Sequence, residues 1–154
     1  MKQLVIGWGN PIAGDDGIGP RAAELILKRV PADIHVLSTS YAGLRLVETM
    51  RGYDRVIVAD VYIADAESIR TDIIRPHDLG ALDHPVRHDS TLIEALHVFR
   101  AMNDSQLPEE VILISVPISA PLEWKDELSS TGESAAERLC AAVVHELEEV
   151  AAVV

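Results

Sequence analysis

The chain has 154 residues, 48% hydrophobic and 25% charged, with a formal net charge of −12. That length is normally one domain, here read as spanning residues 1–154, with a real core; the acidic balance argues against nucleic acid or an anionic membrane surface as partner. The single cysteine, Cys140, excludes an internal disulfide or thiolate cluster, and no apolar run approaches the roughly 20 residues of a membrane span. With no charged-then-apolar leader at the start, a cytoplasmic protein without membrane insertion is expected.

Residues 4–6, Leu-Val-Ile, are a short apolar run suited to a buried strand, and Pro20 opens a helical pattern running to about residue 30. Between Gly7 and Pro20 lie Gly9, Asn10, Pro11 and three further glycines, together with the adjacent carboxylates Asp15 and Asp16. Gly7, Gly9 and Asn10 are expected to shape this turn, since glycine allows positive φ and close backbone approach. One aspartate is expected to cap the following helix, a role assigned to Asp15. A single cap does not need two carboxylates, which leaves Asp16 as the functional candidate.

Further along, residues 34–37 form a second strand and 44–51 a short helix stopped by Gly52. The β-branched run 56–59 is the strongest strand signal, and it is expected to end at Asp60. Residues 68–75 alternate weakly, as an edge strand would, and 76–87 carry the prolines and histidines of a long loop. Residues 89–102 are amphipathic, 111–114 are another buried strand and 117–125 are irregular. The last helix is expected to start at a capping box, Ser130 with Glu133. Strands alternating with helices predict an α/β fold, a doubly wound, mostly parallel twisted sheet of about five strands with helices on both faces.

Three polar positions stand out by where they fall. Asp16 follows strand one, Asp60 ends strand three, and His88 precedes the helix of residues 89–102. In a doubly wound sheet the ends of strands one and three meet at the topological switch point. Two carboxylates and an imidazole there offer oxygen, oxygen and nitrogen ligands to a divalent metal, or else a general acid/base set. The bland alternatives are an aspartate bonding loop amides at position 60 and a helix-start histidine without a ligand at 88. His77 and His84 share the loop and compete for the same role, whereas His35, His97 and His145 have no suggestive setting.

At this point the chain resembles the nickel–iron hydrogenase maturation endopeptidases. The resemblance runs through Gly7-Trp8-Gly9-Asn10-Pro11, Gly14-Asp15-Asp16-Gly17-Ile18-Gly19-Pro20, residues 52–60 (GYDRVIVAD), His88-Asp89 and Glu123-Trp124. It implies an endopeptidase that clips the C-terminal extension from the hydrogenase large-subunit precursor once nickel is installed. It also implies that Asp16, Asp60 and His88 engage that nickel and carry the catalysis, the metal arriving with the substrate. One stretch departs: Thr39-Ser40-Tyr41-Ala42 stands where the family has a glycine-rich loop.

Three other readings compete. A non-catalytic maturation chaperone that senses the nickel site would use the same residues. A dinucleotide-binding module needs G-x-G-x-x-G, but Ile12 occupies the third glycine position. A peptidyl-tRNA hydrolase, whose opening turn is similar, needs a basic face that this acidic chain lacks. The expected partner is the precursor, with no nucleic acid and no membrane insertion, and a monomer is compatible with the sequence.

Overall fold

Alternation along the strands decides which side each helix takes. In β1 (Gln3–Trp8), Val5 faces one way while Leu4 and Ile6 face the other. Val5, Ile57, Ala59, Ile112 and Ile114 pack against α1 (Ile18–Leu27) and α4 (Ser130–Val153). Leu4, Ile6, Val56, Val58, Val111 and Leu113 pack against α2 (Leu44–Met50) and α3 (Ser90–Ala101). Both faces of the central strands are therefore buried, which is why they read as unbroken apolar runs.

The structure, a computed structural model, describes residues 1–80, 90–119 and 123–153. Its sheet runs β2-β1-β3-β5-β4, where β2 is His35–Thr39, β3 Arg55–Ile63, β4 Arg70–Ile74 and β5 Glu110–Ile118. All neighbours are parallel except β4, which closes one edge antiparallel to β5. The expected doubly wound α/β fold is thus the observed one. From β1 the chain goes out to β2 on one side and then to β3 on the other, so the switch point lies between β1 and β3.

Two strands outrun their apolar signals. β3 does not end at Asp60 but continues to Ile63, and β5 continues through Pro117 to Ile118. The two extensions pair with each other, Asp60 with Ser115 and Ile63 with Ile118. Pro117 is tolerated there because β4 pairs with β5 only as far as Ser115. The last helix also starts differently from its expected capping box. Ser129 is its cap, its Oγ accepting from Gly132 N at 3.0 Å.

At the amino edge of the sheet Arg55 is buried. Its guanidinium donates to Glu110 at 3.1 Å, to Gln3 at 3.2 Å and to Glu146 of α4. That network joins β1, β3, β5 and α4 on the side away from the switch point. Among the described residues no helix is long and apolar enough to cross a membrane.

At the carboxyl edge α1 lies almost against the strands. A Cβ on Gly19 would stand 2.2 Å from Trp8 O and 2.7 Å from Ala59 O, and one on Gly7 would stand 2.4 Å from Gly19 O. Gly19→Ala is therefore expected to lower stability by about 1–3 kcal/mol, the usual cost of overpacking. Urea unfolding followed by circular dichroism checks this, and an unchanged midpoint would mean the helix can slide away freely.

Candidate active site

The tight seating of α1 fixes the turn that precedes it. Gly9 takes φ 152°, and a Cβ there would meet Asp16 O at 2.0 Å, so the chain folds back on itself at this point. Asn10 ties the return: its side chain accepts from Ile12 N at 3.1 Å and its carbonyl from Ala13 N at 3.1 Å. A 3-10 turn, Gly14–Gly17, then carries both aspartates.

Their carboxylates serve different parts of the molecule. Asp16 Oδ2 accepts from Asn10 N at 2.8 Å, holding this carboxylate beside the end of β1. Asp15 reaches across to the start of α4, accepting from Ser129 N at 2.9 Å and from Ser129 Oγ at 2.8 and 3.0 Å. Neither caps α1, whose N-cap, Gly17, has no side-chain bond. Asp15, expected at the nearer helix, instead bonds the start of the distant one. Ser129, not the expected Ser130, is the residue that links them.

Asp60 owes its place to register. β1 pairs with β3 up to Gly7 opposite Ala59, so Asp60 is the first β3 residue beyond the stretch paired with β1. By parity it follows Val56 and Val58 onto the α2/α3 face. There it lines a cavity of about 480 Å³ together with Asp16, Trp8, Asn10, Ser40 and Thr91. Thr91 belongs to the first turn of α3, so the opening of that helix borders the cavity. The wall from the β2–α2 loop is pinned, since Trp8 Nε1 donates to Tyr41 O at 2.8 Å and Arg45 lies 3.9 Å over the Tyr41 ring.

Asp16 and Asp60 thus open into one cavity at the switch point. His88 and His84 lie outside the described residues. His77 lines a different cavity, with His97 and Arg100. Among the described residues no group of three or more His, Cys, Asp or Glu could hold a metal ion, so the two carboxylates form at most a partial shell. They are hard oxygen donors, suited to completing the coordination of a divalent ion that brings other ligands with it. Cys140 takes no part: it is buried between α1 and α4, and burial pushes its thiol up from the ordinary range.

No family model matches the chain. Among curated proteins it is similar to the hydrogenase 2 maturation protease of Escherichia coli, 29% identical over 54% of this chain and 60% of that protein. It is also similar to the hydrogenase expression/formation protein HupD of Bradyrhizobium diazoefficiens, 35% identical over 51% of this chain and 42% of the relative. The chain thus spans about half the length of the curated relatives it matches. Among solved structures, an endopeptidase from Escherichia coli superposes with a TM-score of 0.76 at 25% identity, covering 97% of this chain and 94% of that one.

The Asp15–Ser129 link has a measurable consequence. Asp15→Ala is expected to cost about 1–2 kcal/mol, the scale of a charge-assisted hydrogen bond at a partly exposed position. Ser129→Ala should cost a similar amount, and the double variant should lose little more than either single one. Denaturant titration of all three closes the cycle, and simply additive losses would show that the two side chains are not coupled.

Proposed function

These likenesses in sequence and fold support the hydrogenase maturation endopeptidase family, and on that premise we propose that the chain is a cytoplasmic endopeptidase of hydrogenase maturation. Its substrate is the large-subunit precursor of a nickel–iron hydrogenase, from which it removes the C-terminal extension after nickel insertion. Asp16, Asp60 and His88 engage the nickel, which the precursor carries. The observation that supports this most is the opening of Asp16 and Asp60, 44 positions apart in sequence, into one cavity at the switch point.

The chain's own residues account for much of the selectivity. Asp16 Oδ2 is held by Asn10 N, which limits the freedom of this carboxylate where it lines the cavity. Asp60 is carried on a strand paired with β5 at that position, so its backbone cannot drift. Two carboxylates and one imidazole bind free nickel weakly; most of the affinity comes from the precursor's own ligands. A precursor without nickel therefore lacks the group that these side chains recognise. Nickel bound by Asp16, Asp60 and His88 would supply Lewis-acid chemistry. Asp16 and Asp60 already line one cavity, so their carboxylates need little reorganisation to engage a bound group.

The test is incubation with the large-subunit precursor, nickel-loaded or nickel-free, with loss of the extension followed by mass spectrometry. Cleavage of the loaded form alone is expected, and Asp16→Ala should fold normally and cleave neither. Equal cleavage of the nickel-free precursor would overturn the gating. Complex formation without cleavage of either form would leave a non-catalytic sensor of the nickel site.

A further inference from the structure

Five large apolar side chains stand exposed on the same edge of the sheet as the two carboxylates. Ile12 follows β1, Tyr41 and Leu44 follow β2, Ile63 ends β3 and Trp124 follows β5. These strands run parallel, so all five project from the carboxyl edge. Ile63 also lines the cavity shared by Asp16 and Asp60, and Ser40 and Ala42, on either side of Tyr41, line it too.

Trp124 is the most informative of them. It is 80% exposed, yet its backbone is fixed. Residues 13 and 125 form a parallel bridge, with Gly14 N donating to Lys125 O at 2.9 Å. Glu123 O sits 3.0 Å from where a Cβ on Gly14 would be, and Lys125 pairs with Glu123 at 2.8 Å. A tryptophan held out to water on an ordered backbone has already lost the chain entropy that docking would otherwise remove. Tyr41 is held similarly, through Trp8 and Arg45. Large aromatic side chains of this kind dominate binding energy at protein interfaces.

We propose that Ile12, Tyr41, Leu44, Ile63 and Trp124 form an apolar rim that docks the folded body of the precursor around the cavity that takes the metal. The inference rests on the endopeptidase reading, because it names what else must touch this edge. A protein that presents its metal to Asp16 and Asp60 has to bring its own surface down over the loops beside them. The folded precursor is therefore the occupant that the rim's position selects. Recognition is then divided: the rim supplies affinity, and the carboxylates supply the metal test.

The experiment uses the full chain with the nickel-loaded precursor and compares Trp124→Ala, Leu44→Ser and Trp124→Phe. Met102→Ser is the control, an exposed apolar residue just past α3 toward the opposite edge. The two rim variants are expected to raise KM and the measured Kd about tenfold or more, with turnover at saturation unchanged. Trp124→Phe should recover most of that affinity, and Met102→Ser should match the unmodified chain. A synthetic peptide spanning the cleavage junction should be a poor substrate for every variant. Unchanged Kd in the rim variants, or a junction peptide cleaved as efficiently as the precursor, would overturn the rim. So would a dimer of the unmodified chain that Trp124→Ala dissociates, since the rim would then be a self-association surface. If the precursor is bound but never cleaved, and rim variants bind it weakly, docking stands while the endopeptidase reading falls.

Discussion

The carboxyl edge depends on one close approach, the seating of α1 on the ends of β1 and β3. Gly7 and Gly19 are what permit it, since a methyl group at either would overlap backbone atoms across the gap. With α1 this close, the turn before it has to double back over the strand ends. Asp16 is therefore delivered beside the end of β1 rather than out into solvent. A looser helix would still bury Ile18, Ala22 and Ile26, but it would carry the carboxylate away from Asp60. The apolar core sets stability, whereas the glycine contact sets geometry.

The adjacent aspartates show how one turn serves two purposes. Consecutive side chains diverge, and here one enters the cavity while the other holds the start of α4. Space around the second is tight, since a Cβ on Gly132 would lie 2.3 Å from Asp15 Oδ1. Ser129, Asp15 and Gly132 therefore form one unit that ties the last helix to the first turn. That tie backs the turn from behind, so that both neighbours of Asp16, Asp15 by its bonds and Gly17 by burial, are constrained.

The layers were legible in the sequence because burial on both sides leaves a simple trace. Val56 to Ala59 and Val111 to Ile114 are unbroken apolar runs, and the helix stripes facing them are regular. Strand ends were less legible. Asp60 and Ser115 look like terminators, yet they pair with each other and let both strands continue. Polar residues can extend a strand when their partner is polar too, and that partner is 55 positions away. The cap at Ser129 was missed for a similar reason. Ser129 and Ser130 are equivalent to a local rule, and the choice between them is made by Asp15, far back in the chain. Asp16 and Asp60 were nameable from strand-end position alone, but their shared cavity follows from β3 passing β1 by a few residues, a property of register.

The two edges of the sheet use their polar groups differently. At the amino edge a buried arginine gathers carboxylates from β5 and α4 and an amide from β1, so charge there is neutralised internally. Removing one member of such a network leaves an uncompensated charge, so that edge has little freedom to vary. At the carboxyl edge Asn10 and Asp16 bond to backbone within their own turn, while Asp15 bonds across to Ser129. Apolar exposure concentrated beside a carboxylate-lined cavity invites association. A net charge of −12 offsets it, since like-charged copies repel at a distance while a partner of different charge does not. The acidic composition, which by itself says little about function, thus works against self-association at this edge.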